Sequence, residues 1–240
     1  VITHFYVKDT QTFFMVDSSS FNTLWEWEKQ NNQLICVMPK IQPKRVLNRM
    51  MESYEVSDDK QFCLIKYWTE QTINEKTLCT YYLFSMKNQK EIAFPVTSQE
   101  IVSDAWFEVG ETDRFYYITR EKEKMYSQKK VYWWDTKTNE SKLLTTFESE
   151  EYAYSKNGRW VVVMEDNKLI RYTLDTGTKE IIKENVIEVR FSYIGKQPYL
   201  FLCEYGTNST PVCTYMTPEK EWRSFSFYAF DDIENFEIAE

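Results

Sequence analysis

Five times along the chain a bulky apolar or aromatic residue is followed six positions later by an aromatic one, with a polar pentapeptide between them. Val7 leads to Phe13 across KDTQT, Val56 to Phe62 across SDDKQ, Val109 to Phe115 across GETDR, Tyr154 to Trp160 across SKNGR, and Tyr193 to Tyr199 across IGKQP. Each pair opens a segment of the same plan. A short strand comes first and a strongly apolar one second (QFCLIKYW, RFYYITR, WVVVME, YLFLCEYG). The third strand is rich in aromatics (TLWEWEK, KVYWWDT). The fourth follows a polar turn such as MKNQKE, DTKTNESK or DTGTKE. Unrelated hairpins have no reason to keep both one step and one strand order, so the chain repeats a single supersecondary unit.

Successive leading residues lie 49, 53, 45 and 39 positions apart, and a further opening, NFEIAE, places Ile238 another 45 residues on. The mean of about 46 residues and the four strands per unit match one blade of a β-propeller. The expected fold is therefore all-β: a propeller of four-stranded antiparallel blades spanning about 4–39, 53–95, 105–147, 151–183 and 188–230. Residues 235–240 then start a sixth blade of a larger ring, within a single propeller region over 1–240. Composition agrees with this. Aromatic residues make up 17 % of the chain; such residues favour strands, and their flat side chains fill the wedge between twisted sheets. With only 5 glycines, the turns must rely on Asn, Asp, Ser, Lys and Pro. The reading makes a definite demand: Phe13, Phe62, Phe115, Trp160 and Tyr199 should occupy equivalent buried places in five successive sheets. The main competitor is a β-sandwich or two-domain all-β fold.

The net charge is −8, and no basic cluster follows a phosphate backbone, so nucleic acid is not an expected partner. No apolar run reaches the length of a membrane helix, so membrane insertion is not expected either. The chain starts at Val1 and shows no signal peptide, which leaves a trimmed mature chain and a fragment both open. Among five cysteines, Cys63 with Cys79 and Cys203 with Cys213 sit on neighbouring strands of two hairpins. Cross-strand disulfides and buried free thiols are both open for these pairs. Two glycosylation sequons, at Asn139 and Asn208, fall in expected turns. Together these features favour a secreted or cell-surface setting over the cytoplasm.

The units VSDDKQFCLIKYW and YSKNGRWVVVME, followed by YYLFSMKNQKEI and IRYTLDTGTKEI, resemble blades of the propeller in prolyl-oligopeptidase-family peptidases, above all the dipeptidyl peptidase IV group. They are similar to TolB-type propellers as well. The resemblance runs through about four of the five units and marks a blade type. In the dipeptidyl peptidase IV group it implies a following α/β-hydrolase domain with a Ser-Asp-His triad, and a pair of propeller glutamates that binds the substrate's amino terminus. This chain departs from that pattern. It contains no Gly-x-Ser-x-Gly elbow. Glu148, Glu150 and Glu151 of FESEEYAYS lack the aromatic context of the paired-glutamate motif, so that role is not carried over.

Residues suited to chemistry are few. His4 is the one histidine, so any Ser-His-Asp or Cys-His arrangement would hang on a residue beside the first strand. No Cys-x-x-Cys, histidine pair or Gly-rich phosphate loop occurs, and no catalytic residue, metal or cofactor is expected. Glu55, Glu108 and Glu237 each precede a leading residue and so share one place on the innermost strands. They could line the channel as solvated carboxylates or hold a cation or a ligand's amine. The charged run TREKEKMYSQKK reads as an exposed hairpin loop. With Tyr126 and Tyr132 beside it, it is the first candidate for docking a protein partner. Three functions follow in order: a non-catalytic interaction scaffold; the propeller portion of a dipeptidyl peptidase IV-like serine peptidase whose hydrolase domain is absent from this chain; and binding of a small molecule or glycan in the channel.

Overall fold

The computed structural model describes the backbone of twenty strands between Ile2 and Phe225. It describes side chains over residues 55–57, 59–67, 79–88, 90–108, 113–122, 124, 126–155 and 160–186. The strands form five four-stranded antiparallel sheets, each a meander in chain order. The first holds β1 (Ile2–Val7), β2 (Thr12–Asp17), β3 (Thr23–Glu28) and β4 (Gln33–Met38). The second holds β5 (Met51–Val56), β6 (Phe62–Ile73), β7 (Lys76–Ser85) and β8 (Lys90–Ile92). The third holds β9 (Glu100–Phe107), β10 (Arg114–Glu121), β11 (Lys129–Asp135) and β12 (Glu140–Phe147). The fourth comprises β13 (Tyr152–Tyr154), β14 (Trp160–Glu165), β15 (Lys168–Thr173) and β16 (Thr178–Glu184). The fifth comprises β17 (Val186–Ile194), β18 (Gln197–Tyr205), β19 (Pro211–Met216) and β20 (Trp222–Phe225). Two compact units contain them, Val1–Thr146 and Phe147–Glu240. Residues 235–240, the expected start of a sixth blade, lie outside the described residues.

In the first unit the core forms where the second and third sheets meet. Phe62, Leu64 and Leu83 pack with Phe94, Val102, Ala105, Phe107, Phe115, Tyr117 and Trp134. Phe115 stands opposite both Phe107 and Trp134 in the ladder of the third sheet. It meets Phe62 edge-on, ring centroids 5.5 Å apart. Edge-to-face contacts of this kind add roughly 0.5–1.5 kcal/mol beyond area burial. Six consecutive residues of β10, Phe115–Arg120, are buried, so both faces of this middle strand are covered. The outer strand β12 carries Glu140, Ser141, Lys142 and Leu143 exposed; charged side chains there discourage pairing with another strand edge. In the second unit Ala153, Val162, Leu169 and Val186 form a smaller core, flanked by Trp160, Met164 and Ile182.

The six-residue aromatic step lands on the start of the second strand in all five sheets. Phe62 and Phe115 are buried there, but Trp160 is only partly buried against its cluster. The side chains of Phe13 and Tyr199 lie outside the described residues. A constant spacing also does not give a constant register. Val7 pairs with Phe13, but Val56 pairs with Cys63, Tyr154 with Val161 and Tyr193 with Pro198. In the second sheet the turn of the first hairpin is held by side-chain hydrogen bonds. At Ser57 the hydroxyl accepts hydrogen bonds from the backbone N–H of Gln61 (3.1 Å) and Phe62 (3.0 Å) and donates to Asp59 (2.7 Å). Lys60 takes φ +59°. Ser155, buried at the same place in the fourth sheet, donates its N–H to the Trp160 carbonyl at 2.9 Å.

Third and fourth strands of the first four sheets are joined by four residues each. In DTKTNE and LDTGTK the fourth loop residue is left-handed: Asn139 at φ +56° and Gly177 at φ +68°. Asp135 Oδ1 accepts from the N–H of Lys137 (2.8 Å) and Thr138 (3.1 Å) and so closes the first of these turns. No atom lies within 4 Å of a Cβ added at Gly177, so the demand for glycine there is purely conformational.

Gly177→Ala should therefore cost about 1 kcal/mol through the left-handed backbone alone, and Gly177→Asn clearly less. The denaturant midpoints of the two variants test this, and equal midpoints would contradict it. Phe115→Ala should cost about 3–5 kcal/mol by opening a cavity in the aromatic core. Tyr126→Ala should stay within about 0.5 kcal/mol. The same denaturation series measures both.

Candidate functional site

The best-defined polar arrangement lies at one end of the third sheet, where β9 begins and the loop between β10 and β11 leaves the core. Glu100, the first residue of β9, has a side chain only 9 % exposed. Its Oε1 accepts from Lys130 Nζ at 2.8 Å and from the Thr119 hydroxyl at 3.4 Å. Its Oε2 accepts from the Thr97 hydroxyl at 3.0 Å and the Thr97 N–H at 3.4 Å. Burial, the largest single influence, pushes the Glu100 carboxyl up. The hydrogen bonds from Lys130 and Thr97 and the Lys130 charge together outweigh it and hold the group below the ordinary carboxylate range. Lys130 is raised in turn, chiefly by its hydrogen bond to Glu100.

This network ties down both ends of the loop. Lys122 donates its N–H to the Gln99 carbonyl at 2.8 Å. The Glu121 N–H bonds the buried Ser127 hydroxyl at 3.1 Å, and Lys124 pairs with Glu121 at 2.8 Å. Between these anchors Tyr126 is 72 % exposed. The structure separates the two tyrosines that the sequence groups as a docking loop. Tyr132 lies in β11, stacked on Tyr117 with centroids 5.1 Å apart and rings 10° from parallel. It belongs to the packed sheet, because its strand position points it at the core cluster. The Tyr117 hydroxyl lies 2.9 Å from the Ser141 hydroxyl, and either oxygen can be the donor; burial pushes its pKa up to about 12.

Of the three glutamates expected to line a channel, Glu55 and Glu108 are partly buried on β5 and just beyond β9, while Glu237 lies outside the described residues. Glu108 Oε1 accepts from the Tyr116 hydroxyl at 3.4 Å, and its Oε2 is buried with no hydrogen-bond partner among the described residues. Among those residues no three His, Cys, Asp or Glu side chains converge as a metal site. Glu148, Glu150 and Glu151 lie between β12 and β13, and all three are exposed.

The register corrects one disulfide expectation. Cys63 stands opposite Phe84 and Cys79 opposite Trp68, five positions further along β6. At roughly 3.3 Å per residue this puts the two cysteines about 17 Å apart, far beyond the ~7 Å a disulfide spans. Neither is in a disulfide. Burial first, and then the charge of Glu55, push the Cys63 thiol far up, so it remains protonated and unreactive. Asn139 of the first sequon is exposed, its Oδ1 accepting from Trp134 Nε1 at 3.4 Å; Asn208 lies outside the described residues.

A cleft of about 300 Å³ that the sequence reading did not anticipate opens at the turns of the second and third sheets. Gln61, Phe62, Lys87, Asn88, Asp113 and Lys137 are among its walls. An ion pair between Lys137 and Asp113 occupies part of its polar lining. The turn residues that build it come from four separate hairpins, so no local motif announces it.

No protein-family model matches the chain, and no curated protein matches it. Solved structures do. Porphyromonas gingivalis dipeptidyl peptidase 4 superposes with a TM-score of 0.58 at 11 % identity, over 94 % of this chain and 38 % of that one. A prolyl endopeptidase gives 0.60 at 9 %, over 95 % and 37 %. Pyrococcus horikoshii acylaminoacyl peptidase gives 0.56 at 12 %, over 94 % and 38 %. The chain thus has the fold of the propeller domains of these peptidases, and it spans under two fifths of their length. Among the described residues no helix is long and apolar enough to cross a membrane.

Because the folded-state pKa of Glu100 is depressed, its contribution to stability is present above the ordinary unfolded value of about 4.3. It is lost as pH falls through the lower folded value. Lys130 has the opposite sign: its contribution is present below about pH 10.4 and lost as pH rises through the raised value. Glu100→Gln should remove the acid-side step from the pH dependence of the denaturation midpoint and speed amide exchange in residues 121–128. An unchanged acid limb would show that the pair contributes nothing to folding.

Proposed function

We propose that this chain is a non-catalytic propeller module that binds a protein partner through the loop between β10 and β11, with Tyr126 as the anchoring side chain. The observation that carries this reading is the contrast between Tyr126, 72 % exposed, and the hydrogen-bonded base on which its loop stands. An aromatic ring held on a pre-ordered loop gives up little entropy on docking, and tyrosine is enriched at the centres of interfaces. Lys122 and Lys124, exposed in the loop just before Tyr126, add a charged rim that supplies orientation and association rate more than affinity.

The test places a photo-crosslinking phenylalanine analogue at position 126. The expected result is one discrete covalent adduct, and Tyr126→Ser should weaken capture of that partner about tenfold, a loss of ~1.4 kcal/mol. An adduct pattern identical to that of a probe at exposed Leu143 would reject the loop as a docking element.

One observation favours a second reading. The solved peptidases align with 94–95 % of this chain but only 37–38 % of their own length. That proportion suits the propeller portion of a serine peptidase whose hydrolase domain lies outside this sequence. The native protein would then have a mass well above 29.0 kDa and release dipeptides or acylated amino acids from peptide substrates. A native mass near 29.0 kDa without such activity would leave the interaction module.

A further inference from the structure

In the fifth sheet two cysteines meet at one rung. Cys203 of β18 lies directly opposite Cys213 of β19, between the pairs Leu202↔Thr214 and Glu204↔Val212, and the register runs without a break from Leu200↔Met216 to Tyr205↔Pro211. Directly opposed Cα atoms in antiparallel strands stand about 5.5 Å apart at hydrogen-bonded pairs and about 4.5 Å at the others. A disulfide accepts roughly 4.4–6.8 Å, so the rung suits a cross-link whichever kind of pair it is. The contrast with the second sheet is internal. There Cys63 and Cys79 also share a hairpin, yet fall five rungs apart. We propose that Cys203 and Cys213 form a cross-strand disulfide that locks the register of the fifth sheet.

Cys213 is also paired with Phe225 of β20, so the rung fixed between β18 and β19 is one on which the last strand of the sheet pairs. A one-residue slip in any of them would turn its whole apolar set to the opposite face. The bond forms by exchange with a disulfide-bearing oxidant such as oxidised glutathione or a dithiol oxidase. The thiolate of one cysteine attacks an oxidant sulfur and releases one reduced thiol. The thiolate of the second then attacks the resulting mixed disulfide and releases the other. The two protein thiols lose two protons and two electrons, and the oxidant's disulfide becomes two thiols. The chain therefore folds where such an oxidant is maintained.

The test uses the full 240-residue chain in a glutathione buffer poised at about −200 mV, followed by alkylation, digestion without reduction and peptide mass mapping. The expected result is a cross-linked pair of peptides containing Cys203 and Cys213, lighter by two hydrogens than the reduced pair, with Cys63 alkylated only after denaturation. Oxidation should raise the melting temperature by about 5 °C. Cys203→Ser and the double substitution Cys203→Val with Cys213→Val should each abolish that rise. Alkylation of both cysteines in the folded, oxidant-treated chain, or cross-linking of either one to another cysteine, would overturn the proposal. The mapping is done on the unsubstituted chain, so it decides the matter even if a variant fails to fold.

Discussion

The structure depends on middle strands that are apolar on both faces. A strand with one apolar face can lie on a core and show its other face to water. β10, buried at six successive positions from Phe115 to Arg120, cannot. It has to be flanked within its sheet and covered above and below. Within its own sheet β9 and β11 supply Phe107, Trp106, Trp133 and Trp134 across the ladder. On one face, Phe62 and Leu64 of the second sheet complete the cover. The demand fades outward: β12, as long as β10, is exposed over residues 140–143, with Glu140 and Lys142 where a bare sheet edge would otherwise recruit another strand.

The same packing creates the candidate site. Propeller-type loops are functional because they stand on a scaffold that does not yield. Here the scaffold ends in the Glu100–Lys130–Thr97–Thr119 network. That network satisfies a largely buried carboxylate and holds the loop base one residue away. Three residues of this set come from strands, and none stands out among neighbours of the same type. The affinity of Lys130 for Glu100 exists only because Thr119 pairs with Lys130 in the ladder while Glu121 pairs with Glu100. Such a site is assembled by register, and register is not written in any short motif.

The blade type and strand order were legible because the repeat is a statement about period, and period survives any local variation in packing. The polar turns before the fourth strands were legible for the same reason, whereas their four-residue length and the left-handed Asn139 and Gly177 came from the structure. Spacing misled where it was asked for a partner. Cys63 and Cys79 look like a hairpin pair in sequence, but β6 and β7 are long, twelve and ten residues, so membership of one hairpin says little about shared rungs. Tyr132 looked like a loop aromatic because the charged run ends close to it; the strand starts at Lys129, and the ring turns inward onto Tyr117. Ser57 and Ser155 stood in the repeated blade motif, but nothing in it told that the Ser57 hydroxyl would hold its turn.

The sequence alone determined that this chain is all-β, that it is built of repeated four-stranded antiparallel units, and which strands are central and which peripheral. These properties follow from hydrophobic periodicity and turn chemistry, which act over a few residues. Tertiary structure alone decided which residues face one another across strands and between sheets: Phe62 against Phe115, Lys130 on Glu100, Cys203 opposite Cys213 and Cys63 opposite nothing it can bond. The physical reason is that a single hairpin turn, tightened or loosened by one residue, exchanges the two faces of every strand that follows it. The turn's backbone conformation is settled by the packing it must serve.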